Sequence, residues 1–93
     1  MIVGVLQCEA HIPTSRSLKD KRSVLNSVKG QLRSRFNVSV AEIDANETWQ
    51  RATLGAAVIA EDRGRAQAQL QQIRQWLRAC GLIAIIQLEE GYW

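Results

Sequence analysis

Apolar residues recur with two different periods along this 93-residue chain, and the switches between them mark out six elements. Residues 2–12 run or alternate apolar (Ile2, Val3, Val5, Leu6, Cys8, Ala10, Ile12), the pattern of a central strand. Pro13, which has no N–H to give to a ladder, ends it. Ser17-Leu-Lys-Asp20 has the form of a capping box: the serine hydroxyl accepts from the third N–H of a helix, and the carboxylate reaches back to the cap. From there to Phe36 the period is helical. At about 100° per residue, Leu18, Val24, Leu25, Val28, Leu32 and Phe36 fall within about 120° of arc, the width of a core-facing stripe.

Residues 37–44 alternate on both faces and predict a second strand, with Asp44-Ala-Asn-Glu47 as a hairpin loop. Trp49 to Ala60 predicts a third strand with Ala52, Leu54, Ala56, Val58 and Ala60 on one face. Asp62 precedes a second helix from Arg63 to Cys80. There Ala66, Leu70, Ile73, Leu77 and Cys80 share one side, and Gly81 stands at the position after the C-cap. Leu82 to Glu90 predicts the last strand. The order β-α-β-β-α-β gives two right-handed split β-α-β units. It predicts a ferredoxin-like α+β sandwich in which residues 1–93 form a single domain, a four-stranded antiparallel sheet with both helices on one face.

Composition narrows the function. At 46% hydrophobic and 23% charged the chain reads as a soluble globular protein. The opening apolar run is interrupted at Gln7 and Glu9, too early for a signal peptide or a membrane span, so a cytosolic protein is expected. Cys8 and Cys80 have no metal-ligand spacing and predict small buried hydrophobes; His11 is alone, so no metal or other cofactor is expected.

Charge changes the picture most. Between Arg16 and Arg35 lie seven basic residues and one acid, Asp20, a charge of +6, while the rest of the chain carries −3. Lys19, Arg22, Lys29 and Arg33 form one strip beside the apolar stripe, spanning roughly 21 Å at the helical rise. Such a strip tracks phosphates by charge-assisted hydrogen bonds and counterion release. Arg16 stands just before the capped end, where free N–H groups would add to phosphate holding. Lys21 and Arg35 point nearer the core, with stems expected to run along its edge. A solvated face is the alternative reading, but such faces usually mix both signs.

The sheet face away from the helices is expected to carry Val3, Val5, Gln7 and Glu9, then Trp49, Arg51, Thr53, Gly55, Ala57 and Ile59, with Ile83, Ile85 and Gln87 from the last strand. Self-association as a homodimer, or cover by Tyr92-Trp93, would shield so apolar a surface. Trp49 and Arg51 read either as a base-and-phosphate contact or as an edge tryptophan with an arginine stacked on it. Trp76 reads as core edge. Catalysis finds little support: the loop from His11 to Arg16 has no glycine to cradle phosphate, and Glu9 with His11 is the sole acid–base pair of note, so a non-enzyme is expected.

Ser17-Leu-Lys-Asp-Lys-Arg22, Arg35-Phe-Asn-Val-Ser-Val-Ala-Glu42 and Trp49-Gln-Arg-Ala52 with Leu54-Gly55 together resemble the YlxP-like family of small bacterial proteins of unknown function. The resemblance spans nearly the whole chain and implies a ferredoxin-like fold. It also implies a role near RNA or the ribosome, because genes of that family often neighbour those of transcription, translation-initiation and ribosome-maturation factors. It brings no catalytic or ligand residues with it. The expected partner is therefore RNA or a ribosomal particle, held by Arg16, Lys19, Arg22, Lys29 and Arg33, with Trp49 and Arg51 as a second contact. The alternative is a homodimeric adaptor module using the open sheet face.

Overall fold

The computed structural model describes residues 1–43 and 48–93; the expected hairpin loop at 44–47 lies outside them. The elements follow in the order β1 (Ile2–His11), α1 (Leu18–Arg35), β2 (Ser39–Glu42), β3 (Arg51–Ala60), α2 (Arg63–Ala79) and β4 (Ala84–Tyr92). The sheet runs β2-β3-β1-β4 with every neighbouring pair antiparallel, and both helices lie on one face of it. This is the ferredoxin-like arrangement expected from the sequence.

Alternation dictates which side chains fill the core. Leu6, Cys8 and Ala10 of β1 and Ala52, Leu54, Ala56 and Val58 of β3 all point toward the helices and are buried. Ala66, Leu70, Ile73 and Leu77 of α2 meet them, as the helical stripe requires. Gly4 lets α2 come close: a Cβ there would stand 3.2 Å from a Leu70 methyl and 3.3 Å from Ala66. Gly81, at φ +75°, turns the chain out of α2 in the left-handed conformation that favours glycine.

α1 runs antiparallel to β2. Its Leu25, Val28 and Leu32 are buried, but Leu18 is 50% exposed, and Lys21 is buried in its place at 4% exposure. Lys21 reaches Glu42, the last residue of β2, and donates to the Thr48 carbonyl, which holds its side chain inward.

A second departure lies in β4. The expected outward positions of Ile83 and Ile85 are wrong, because the register with β1 shifts between Glu9 and Ala10. Gln87 faces Glu9 and Ile85 faces Ala10, leaving Ile86 as the extra residue of a bulge. That one-residue insertion turns Ile83 and Ile85 toward the core and leaves Ile86 exposed. The strand also runs on to Tyr92, and Trp93 exchanges backbone bonds with Val3 at 2.7 and 2.9 Å.

Candidate nucleic-acid interface

The site is built on α1. Ser17 caps the helix, its Oγ accepting from the Asp20 N–H at 3.0 Å. The Asp20 carboxylate reaches back one residue further than a capping box requires and accepts from the Arg16 N–H at 3.0 Å. The helix end therefore carries an acidic side chain of its own, and the Arg16 and Asp20 N–H groups are already bonded. Arg16 itself is exposed.

Along the helix, Lys19 and Arg22 are exposed and Lys29 is half-buried. Among the described residues no carboxylate lies within ion-pair distance of Arg16, Lys19, Arg22, Lys29 or Arg33, although Arg51 and Arg74 are each paired with one and Arg65 with two. Arg33 donates to the Val40 carbonyl at 2.8 Å, which fixes its guanidinium against β2 without neutralising it. The two cations expected nearer the core are there: Lys21 is buried, and Arg35 stacks 5.8 Å from the ring of half-buried Trp76.

The second expected contact divides. Ala52 faces the helices, so Arg51 faces the opposite side of the sheet, where it pairs with Glu9. The structure thus places Arg51 away from the α1 strip, and its charge is compensated by the fold. The same bond engages Glu9, one half of the acid–base pair noted with His11. Trp49 is different. It lies in the turn before β3 and is 49% exposed. The Lys21 Nζ donates to the Thr48 carbonyl at 3.1 Å, and Gln50 Nε2 donates to the Ser15 carbonyl at 3.2 Å. The turn is thereby tied to the segment that starts α1. Sequence periodicity signals this only by placing Lys21 near the apolar arc; it says nothing of the carbonyl it holds.

The open sheet face is apolar at one end and polar at the other. Ile59 and Trp93 are exposed at the apolar end, with Trp93 lying over Gly91; Ile43 is exposed over Gly55 on the β2 side, where its N–H donates to the Thr53 carbonyl. Tyr92 turns to the helix side instead, 4.7 Å beneath the guanidinium of Arg63. At the polar end Gln7, Glu9, Thr53, Gln87 and Glu89 line a hollow of about 50 Å³, room for little more than water. Cys8 and Cys80 are free thiols. Burial, with Cys80 nearby, pushes the Cys8 thiol up to about 11, partly opposed by Arg78.

The element order, the sheet order and the two helices on one face define a ferredoxin-like α+β protein. Within that class, residues 3–90 match the family described as "Protein of unknown function (DUF503)", and the chain belongs to that family. The uncharacterized protein YlxP of Bacillus subtilis (strain 168) is 36% identical over 72 residues, covering 77% of this chain and 78% of that one. Among solved structures, the protein YJCS shares the fold with a TM-score of 0.53 at 8% identity, over 96% of both chains. SnoaB, a cofactor-independent oxygenase from Streptomyces nogalater, superposes with a TM-score of 0.49 at 13% identity, over 99% of this chain and 90% of its own. Among the described residues no helix is long and apolar enough to cross a membrane.

Proposed function

We propose that this protein is a cytosolic, non-catalytic binder of RNA or of a ribosomal particle, with the outer face of α1 as its contact. One observation carries the reading. Among the described residues Glu9, Glu42, Glu61, Asp62 and Glu90 pair with other cations, and Arg16, Lys19, Arg22 and Lys29 have no carboxylate within ion-pair distance. A ridge of like charge is self-repelling, and a polyanion relieves that repulsion while releasing its own counterions. Arg33, held by Val40, adds a fixed fifth charge. Reversing two charges tests this: Arg22→Glu with Lys29→Glu removes RNA retention and leaves the thermal midpoint in place. Retention equal to that of the unaltered protein contradicts the reading.

A second reading is favoured by the exposure of Ile59 at 62% and Trp93 at 73% on the open sheet face: a second copy of this chain covers it. That face lies opposite α1, so the two readings are compatible. Light scattering at micromolar concentration then gives twice the 10.4 kDa of one chain, and a monomeric mass removes the dimer.

A further inference from the structure

We propose that the RNA is unpaired where it passes the start of α1, and that one of its bases stacks on the indole of Trp49; this rests on the RNA reading above and narrows it. The sequence leaves two uses for Trp49, and the geometry separates them. An edge tryptophan covered by a stacked arginine needs Arg51, but Arg51 is paired with Glu9 on the far side of the sheet. Arginines do stack on the other rings: Arg35 lies over Trp76 and Arg63 over Tyr92. Among the described residues no guanidinium lies over Trp49, and the ring stands outside the group of half-buried side chains packed against the core.

The indole is exposed yet held. Thr48 on one side of it takes a hydrogen bond from buried Lys21, and Gln50 on the other is tied twice to the segment before α1. Its side chain donates to the Ser15 carbonyl at 3.2 Å, and its carbonyl accepts from the Ile12 N–H at 2.8 Å. A turn pinned on both flanks presents its side chain with little left to order on binding. The same bonds set the turn beside Ser15 and hence beside Arg16, with exposed Leu18, Lys19 and Arg22 on the turns that follow. An exposed flat ring in a turn tied to the segment that carries Arg16 fits single-stranded nucleic acid, in which the ring takes a base face and the cations of α1 take phosphates. A duplex keeps its base faces inside the stack and has nothing to offer the indole.

The test compares an oligouridine of about twelve nucleotides with a blunt RNA duplex of the same length. Anisotropy of the labelled RNA gives affinities for the unaltered protein, Trp49→Ala and Trp49→Phe. The fluorescence of a Trp76→Phe/Trp93→Phe protein reports on Trp49 alone. The oligouridine quenches that fluorescence. Trp49→Ala binds it about tenfold more weakly, Trp49→Phe loses less, and duplex affinity is the same for all three. If Trp76→Phe/Trp93→Phe misfolds, the affinities decide alone. Oligouridine affinity unchanged in Trp49→Ala overturns the stacking inference while the RNA reading stands. Failure of the unaltered protein to bind either RNA overturns both.

Discussion

Lys21 sits inside the most basic stretch of the chain, yet its work is internal. Its stem is buried with the apolar stripe, and its ammonium donates to the Thr48 carbonyl while lying 3.8 Å from Glu42. Removing one partner of a buried charged hydrogen bond leaves the other without compensation. Lys21→Ala therefore lowers stability by about 2 kcal/mol in urea unfolding, at the upper end of single hydrogen-bond losses. A change under a few tenths of a kcal/mol would place the ammonium in solvent. Cys8 gives a pH signature. Its thiol rises from 9.0 to about 11 on folding, chiefly through burial, so the folded chain keeps a proton that the unfolded chain has lost in that interval. The contribution is full below pH 9.0 and fades as pH rises through about 11. Stability measured across that window falls more steeply in the unaltered protein than in Cys8→Ala; equal slopes contradict the burial effect.

At the scale of elements, the parts that obey one period are legible in the sequence. The α2 stripe of Ala66, Leu70, Ile73 and Leu77 and the β3 alternation appear in the structure as the pattern predicts, because each residue needs only its own element to define its side. What escapes is whatever depends on a neighbour. The bulge at Ile86 belongs to the pairing of β4 with β1, and nothing in the spacing of Ile83 and Ile85 announces it. The burial of Lys21 depends on Glu42 and Thr48, and the loss of Arg51 from the candidate site depends on Glu9, 42 residues away. Helix-to-sheet approach gives a direct test. Gly4→Val puts a branched side chain where even a Cβ is 3.2 Å from Leu70, and pushing α2 off the sheet costs about 3 kcal/mol. Wild-type stability in that variant would mean that α2 does not seat on β1 as closely as described.

The whole molecule has two unlike sides. One carries the cations of α1 and the pinned turn of Trp49; the other, beyond the sheet, carries Ile59 and Trp93 at one end and the polar hollow at the other, with Ile43 exposed on the β2 side near Thr53. The +3 net charge conceals this, since the segment from Arg16 to Arg35 alone carries +6. The charge ridge was legible because it needs only composition and helical period, whereas the division of labour within it, with Lys21 and Arg33 tied to backbone carbonyls, required the packed fold.

The most direct measurement is the salt dependence of RNA affinity. Four phosphates neutralised along α1 make log affinity fall with log salt at a slope of about −3, and Arg22→Glu with Lys29→Glu abolishes the binding. A slope near zero, or binding that survives the double reversal, would contradict the claim that this helix is the contact for a polyanion.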